Sequence, residues 1–157
     1  MSSWREYPER PIVGIGGVVI DEDRALLIRR GNEPLIGQWS IPGGTLELGE
    51  TLVEGTMREL KEETGLEVRV LHMIEAFDRI NFGRGADETW TTIEERSRPR
   101  FHFVIVDYLC ERISGSVVAG GDVTDVAWAS ESELEKFALT PTATRVIRKA
   151  FAMARRK

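Results

Sequence analysis

Apolar residues along this chain cluster in short runs that fit strands more often than helices. Residues 12–20 are apolar and rich in β-branched side chains, and residues 24–30 form a second run after the acidic turn at 21–23. Such runs predict two strands joined as a hairpin. Glycines at 14, 16 and 17 lie inside the first run rather than between a strand and a helix, so they predict close packing or a bulge and not a dinucleotide-binding loop.

The second half of the chain alternates between predicted strands and predicted helices. Residues 81–100 are polar, and a loop of this length in a compact domain is usually functional or disordered. Strands are predicted at 67–78, 101–110 and 123–129, a short helix at 131–137 beginning near Ser130, and an amphipathic helix at 142–155 after Pro141. Mixed strands with well-separated helices predict an α/β fold whose sheet is covered on both faces.

One helix is predicted with both of its ends. Thr51 is a candidate N-cap with Glu54 three residues later, and Gly65 is a candidate C-cap. It follows a polar loop at 31–38 and the adjacent glycines Gly43 and Gly44, where backbone can approach a ligand. We expect the buried stripe of the helix to consist of Leu52, Val53, Thr56, Met57 and Leu60.

Three acidic side chains of this helix share one face. Because successive helical residues are rotated by about 100°, Glu59, Glu62 and Glu63 fall within one arc of the surface. Their mutual repulsion requires solvent, cations or Arg58 to compensate it, and oxygen ligands without His or Cys suit Mg²⁺ or Mn²⁺ far better than zinc. An acidic solvated face is the usual interpretation of such spacing alone.

Residues 44–66, GTLELGETLVEGTMRELKEETGL, resemble the signature of the Nudix hydrolases. That signature is Gly, five residues, Glu, seven residues, Arg-Glu, an aliphatic residue, any residue, Glu-Glu, any residue, Gly and an aliphatic residue. Every fixed position is filled, namely by Gly44, Glu50, Arg58, Glu59, Leu60, Glu62, Glu63, Gly65 and Leu66. The resemblance implies an α/β/α sandwich with a mixed central β-sheet, which we expect to form a single domain over residues 1–157.

The resemblance also implies roles for individual residues. Glu59, Glu62 and Glu63 are implied metal ligands, with the carbonyl group of Gly43 as a further ligand. Among the catalytic residues Glu59, Glu62 and Arg58, a glutamate would deprotonate or orient water, and which glutamate is the base varies within the family. We expect Arg58 to orient the glutamates by pairing with Glu54 and Glu62 at helical spacing, and Glu50 to brace the junction of loop and helix.

Residues outside the signature are weaker candidates. Family members often recruit another acid, for which Asp122, Glu94 and Glu95 are candidates, although ordinary surface positions are more common for such residues. Arg29 and Arg30 at the end of the second strand are candidates for binding substrate phosphates. Trp39 is a candidate for stacking on a base, while packing is the more frequent role of such aromatic residues.

Composition limits the partners that we expect. The 157-residue chain has a formal net charge of -5, without the basic excess of a general nucleic-acid surface. No segment approaches the roughly 20 apolar residues that span a bilayer. Cys110 is the only cysteine and excludes an internal disulfide, so we expect a cytoplasmic protein with no nucleic-acid or membrane partner. A homodimer is compatible with the apolar strands.

The expected activity is that of a Mg²⁺- or Mn²⁺-dependent hydrolase. It would cleave the pyrophosphate bond of a nucleoside diphosphate linked to another moiety, with ADP-ribose or another nucleotide sugar as the first expectation. The alternatives are a nucleoside triphosphate pyrophosphohydrolase and a catalytically silent nucleotide-binding regulatory domain. Residues 80–84, downstream of the signature, contain neither the Pro of an ADP-ribose subgroup nor the Tyr of a diadenosine-polyphosphate subgroup, and so favour neither substrate.

Overall fold

The computed structural model describes residues 4–32, 35–82 and 98–156. Its helices are α1 (Leu52–Thr64), a 3₁₀ helix (Glu131–Phe137) and α2 (Pro141–Ala154). Its strands are β1 (Ile12–Asp21), β2 (Arg24–Arg30), β3 (Trp39–Ser40), β4 (Gly43–Thr45), β5 (Glu67–Asn81), β6 (Phe101–Ser114) and β7 (Val123–Ser130).

The strands form one mixed sheet. Its main path is β3-β2-β1-β6-β5, while β4 pairs with β1 and β7 pairs with β2. β1 runs parallel to β6, and the other pairs are antiparallel. The parallel pair places residues from both halves of the chain side by side at the centre of the sheet, so that Gly16 lies opposite Asp107.

The predicted hairpin of β1 and β2 is confirmed. Its turn residues Glu22 and Asp23 both have positive φ, at 49° and 61°. Two consecutive residues with this backbone form the tight turn whose twist matches that of the flanking strands. The two strands then leave the turn in register, with Asp21 opposite Arg24.

Alternate residues of β1 point to opposite faces of the sheet, and each face is covered by one helix. On one face Val19 packs with Leu60 of α1 and with Cys110. On the other face Val18 packs with Val146 and Ile147 of α2. This arrangement confirms the predicted α/β sandwich with a mixed central sheet.

Helix α1 has the caps that the sequence predicts, but its buried stripe differs from the prediction. The Thr51 side chain accepts a hydrogen bond from the Glu54 N–H, and Gly65 ends the helix with φ of 77°. Val53 and Met57 are each 42% exposed, so their predicted burial is wrong, whereas Thr56 and Leu60 are buried. The buried residues of α1 lie over Gly17 of β1, whose missing side chain leaves a groove for them. A Cβ atom on Gly17 would lie 2.7 Å from Leu60 Cδ2 and 3.2 Å from Thr56 Cγ2.

The other predicted elements are present, and the 3₁₀ helix has the predicted bounds of 131–137. β5 and β6 each continue several residues past their predicted ends because they pair with each other along their whole length. β3 and β4 are too short to give a periodic signal, and the sequence predicts no strand at either place. No helix within the described ranges is long and apolar enough to cross a membrane.

Candidate active site

A cleft of about 770 Å³ opens between β4, the acidic side of α1 and the N-terminal end of α2. Its floor is the sheet face on which Gly14 and Gly16 lie, so no side chain of β1 fills it there. The charged residues that line the cleft include Arg30, Glu59, Glu63, Arg79, Asp107 and Asp122.

Arg58 joins four groups beside this cleft. Its guanidinium group donates two hydrogen bonds to the Glu50 carboxylate, at 2.6 and 2.9 Å, and one to the carbonyl oxygen of Thr45 at 3.1 Å. It also donates to Glu59 at 2.8 Å and to Glu62 at 3.3 Å. The predicted pair with Glu62 is therefore present, but Glu50 and Glu59 take the place predicted for Glu54.

Glu50 braces the start of α1, as the sequence predicts. Besides its two bonds with Arg58, its Oε1 atom accepts a hydrogen bond from the Glu47 N–H at 3.0 Å. These contacts lower the pKa of Glu50 to about 2, with the Arg58 hydrogen bonds as the largest cause. They raise the pKa of Arg58 further above its ordinary value. Glu50 thus remains charged and fixes Arg58.

Glu63 and Glu59 face the cleft from successive turns of α1. Glu63 Oε1 accepts a hydrogen bond from the Gly43 N–H at 2.8 Å. The Glu59 carboxyl group lies against Gly44, where a Cβ atom would overlap it. The glycines of β4 therefore permit the close approach of both carboxyl groups to the strand, which explains why the fixed Gly of the signature precedes the helix.

Burial makes the charges on these two glutamates costly. It raises the pKa of Glu63 to about 8, although the Gly43 hydrogen bond opposes the shift, and the nearby Glu59 charge raises it further. Burial also raises the pKa of Glu59, against the opposing effect of Arg58. Two crowded carboxyl groups that resist ionisation would be stabilised as carboxylates by a cation between them.

The donor chemistry of the site fits a hard divalent cation. Glu59 and Glu63 supply carboxylate oxygens at the cleft, and β4 supplies carbonyl oxygens, which are the ligands that Mg²⁺ and Mn²⁺ prefer. Glu62 lies beside Arg58 with its side chain 54% exposed. In the described ranges no three His, Cys, Asp or Glu side chains converge as a metal cluster. Glu59 accepts a hydrogen bond from Arg58, and Glu63 accepts one from the Gly43 N–H.

The structure brings some of the other candidate residues to the cleft. Asp122 and Arg30 line it. The Gly120 N–H donates to the Glu63 carbonyl oxygen at 3.0 Å, and this bond holds the loop that contains Asp122 against the end of α1. Glu94 and Glu95 lie outside the described residues.

Arg29 and Trp39 are not among the residues that line the cleft. Arg29 precedes Arg30 on β2, and its Nε atom donates to the carbonyl oxygen of Gly37 at 3.0 Å. Neighbouring strand residues point to opposite faces, so only one of the two arginines reaches the cleft. Trp39 packs edge to face on Phe137 with ring centroids 5.1 Å apart, which is the packing role weighed against stacking on a base.

Sequence reasoning did not identify several cleft residues. Asp107 lies in the middle of β6 and Arg79 near the end of β5, and Trp4 lies near the mouth of the cleft with 70% of its surface exposed. An acid and a base within strands rich in apolar residues, FHFVIVDYLC and HMIEAFDRI, were a signal that went unused.

Comparison with known proteins agrees with this geometry. The model of the NUDIX domain matches residues 10–150. An ADP-ribose pyrophosphatase of Methanocaldococcus jannaschii is 30% identical over 128 residues, which cover 82% of this chain and 67% of that protein.

Two solved structures have the same fold. A MutT NUDIX hydrolase from Burkholderia pseudomallei gives a TM-score of 0.73 at 24% identity, covering 90% of this chain and 98% of that one. The NUDIX domain of Shewanella oneidensis NrtR, crystallised with ADP ribose, gives a TM-score of 0.68 at 21% identity, covering 96% of this chain and 91% of that one. With the complete signature folded around a carboxylate-lined cleft, the chain belongs to the Nudix hydrolase family.

Proposed function

We propose that this protein is a divalent-metal-dependent pyrophosphohydrolase. Its substrate would be a nucleoside diphosphate linked to another moiety, and ADP-ribose or another nucleotide sugar is the first candidate. The observation that supports this most strongly is the pair Glu59 and Glu63, two partly buried carboxyl groups side by side at one wall of the cleft.

In this proposal the side chains have distinct tasks. Glu59, Glu62, Glu63 and the carbonyl group of Gly43 would hold Mg²⁺ or Mn²⁺, which supplies charge to stabilise the phosphate oxygens and acidifies water. Glu59 or Glu62 would take the proton of the attacking water. Arg58 is a positioning residue, since its hydrogen bonds orient Glu59 and Glu62. Asp122 is placed to assist as an additional acid.

The substrate would lie along the cleft floor with its diphosphate near α1. Arg30 lines the cleft near Glu63, where it lowers the pKa of that group, and a phosphate group there would meet its positive charge. The cleft volume of about 770 Å³ is within the range for sites that bind cofactor-sized molecules. The ADP-ribose pyrophosphatase relative and the NrtR domain with bound ADP ribose favour a nucleotide of this kind.

The competing proposal is hydrolysis of a nucleoside triphosphate, the alternative that the sequence leaves open. The same metal site would serve either substrate, because both contain a phosphoanhydride bond. Product identity separates them, since ADP-ribose yields AMP and ribose 5-phosphate, whereas a triphosphate yields a monophosphate and pyrophosphate. We also propose a cytoplasmic location, because the single cysteine, Cys110, cannot form an internal disulfide, as is usual for proteins of a reducing compartment.

A substrate screen tests the proposal directly. Nucleotide sugars, dinucleotides and nucleoside triphosphates would be incubated with Mg²⁺ or Mn²⁺, and products identified by ³¹P NMR. We expect cleavage of a pyrophosphate bond that requires the metal, so a chelator should abolish the cleavage. Binding of nucleotides, seen as a raised melting temperature, without any product in either metal would instead identify a nucleotide-binding regulatory domain.

A further inference from the structure

Two oppositely charged side chains lie on the cleft floor away from the acidic side of α1. Asp107 is on β6 and Arg79 is on the neighbouring strand β5. The antiparallel register places Glu75 opposite Asp107, Phe77 opposite Ile105 and Arg79 opposite Phe103. Since alternate residues share a face, Asp107 and Arg79 lie on the same face with the Phe77–Ile105 pair between them.

Asp107 is buried without a protein partner. It is only 3% exposed, yet it lines the cleft and makes no hydrogen bond or ion pair with any residue that the structure describes. Gly16 makes room for it, since a Cβ atom there would overlap Oδ1 of Asp107. Burial raises the pKa of Asp107 to about 7, although the Arg79 charge opposes the shift. A ligand N–H group that donates a hydrogen bond to this carboxyl group would therefore stabilise its charged form.

The positive charge of Arg79 is also poorly balanced by its surroundings. Its guanidinium carbon lies 5.4 Å from the centroid of the Phe103 ring, and it forms no ion pair with another described residue. Burial lowers its pKa, with the Asp107 charge acting in the opposite direction. An acceptor atom on a ligand would restore a hydrogen bond that desolvation has removed.

The surface between the two charges suits a flat ring. Phe77 and Ile105 form an apolar strip, and Gly14 beside it has no side chain. A planar base on this strip would direct one edge at Asp107. Adenine presents an exocyclic N–H donor, which complements a carboxylate.

We propose that Asp107 recognises the base of the nucleotide substrate through an exocyclic amine. Asp107 accepts a hydrogen bond from the amine. Adenine and cytosine both present such an amine. The inference rests on the proposed function for the existence of a nucleotide substrate, but it assigns the base to a residue outside the signature.

Binding of nucleoside monophosphates tests this assignment without any turnover. Calorimetric titrations would compare AMP with purine riboside 5′-monophosphate, which lacks only the amine, and CMP with UMP. We expect the protein to bind AMP about tenfold or more tightly than the amine-free nucleotide, since a hydrogen bond to a charged group contributes about 1.5–3 kcal/mol. We likewise expect the protein to bind CMP more tightly than UMP, because uracil has an oxygen in place of the exocyclic amine.

Variants then assign the preference to Asp107. Asp107→Leu is expected to bind AMP and purine riboside 5′-monophosphate equally, while Asp107→Asn keeps part of the preference because its amide oxygen still accepts a hydrogen bond. The matched control is Glu111→Leu, an acid on the same strand away from the cleft, which should keep the parental preference. Melting curves for each variant establish that it is folded.

Three results would overturn the assignment. Equal binding of AMP and its amine-free analogue by the parent protein is the first. The second is an Asp107→Leu variant, folded, that weakens both nucleotides by the same factor. The third is a preference for AMP over dAMP that Asp107→Leu removes, which would assign Asp107 to the ribose. A protein that shows the amine preference but hydrolyses no pyrophosphate would contradict the proposed function alone.

Discussion

Arg58 is the residue on which the arrangement of the acidic side chains depends most. It donates hydrogen bonds to three glutamates and to a carbonyl group of β4, and its bidentate contact with Glu50 needs the planar guanidinium fork. Signature positions that are far apart in sequence, such as Glu50 and Glu59, therefore meet through one side chain. The charge of Arg58 also offsets part of the repulsion among the glutamates.

Replacement of Arg58 by Lys is expected to lower activity without unfolding the protein. An ammonium group cannot bind Glu50, Glu59 and the Thr45 carbonyl group together, and loss of such a positioning contact typically costs about 10–100-fold in metal affinity or activity. The measurement is kcat/KM as a function of Mn²⁺ concentration with the substrate from the screen. Arg69→Lys, at an exposed ion pair with Glu111, is the matched control. Equal losses in the two variants would contradict a positioning role for Arg58.

Glu63→Gln is expected to reduce turnover at least about 100-fold, because the proposed metal ligand loses its charge while its shape is kept. Its melting temperature without metal should stay close to that of the parent. Glu54→Gln changes an exposed acid in the first turn of the same helix and should retain parental rates. Parental turnover by Glu63→Gln would remove Glu63 from the metal site.

Asp107 is expected to make the metal-free protein less stable as pH rises. Its pKa is raised from 3.8 to about 7 in the folded state, so the folded protein binds more protons than the unfolded chain between these values. The stabilisation is complete below about pH 4 and is lost as pH rises through about 7. Arg79 and Glu75 are the charged groups facing it, and Arg79 limits the shift while Glu75 adds to it.

Urea unfolding with a chelator, at about pH 5 and about pH 8, measures this effect. Asp107→Asn should narrow the difference in unfolding free energy between the two pH values by at least about 1 kcal/mol. In Asp107→Asn the unfolding free energy should still decrease between the two pH values, because the pKa of Glu63 is also raised, to about 8. An unchanged difference in Asp107→Asn would mean that Asp107 is ionised normally in the folded protein.

At the scale of single elements, α1 is the part of the molecule that the sequence predicts best. Thr51 and Gly65 bound it as expected because caps depend on local hydrogen bonds and backbone angles. Its buried stripe was partly wrong, because Val53 and Met57 lie outside the groove above Gly17, and that groove depends on a strand distant in sequence. β3 and β4 were missed since pairing with β2 and β1, not local propensity, makes them strands.

The end of α1 provides a test of local strain. Gly65 has φ of 77°, and a Cβ atom there would lie 2.9 Å from the Ser116 carbonyl oxygen. Gly49 has φ of 87° with no neighbouring atom within 4 Å of a Cβ atom. Gly49→Ala should lower the free energy of unfolding by about 1–2 kcal/mol, the cost of placing a Cβ atom at positive φ. Gly65→Ala should lower it by about 1 kcal/mol more because of the contact. Urea unfolding of both variants gives the two values, and equal losses would contradict the close contact at Gly65.

At the scale of the whole molecule, the cleft combines residues that no local spacing connects. The signature was sufficient to predict the family, the fold and the acidic side of α1. Asp107 and Arg79 could not be placed from the sequence, because their position on the cleft floor depends on the parallel pairing of β1 with β6 and the register of β5. The prediction of a single domain over residues 1–157 stays a prediction.

The proposed function requires Glu59 and Glu63 to hold a hard divalent cation at the wall of the cleft. Anomalous diffraction from crystals soaked in Mn²⁺ would locate such a cation. We expect an anomalous peak within bonding distance of both carboxyl groups, with Glu63 released from the Gly43 N–H. The absence of a peak there at saturating Mn²⁺, with Glu59 still bound to Arg58 and Glu63 still bound to the Gly43 N–H, would contradict the account.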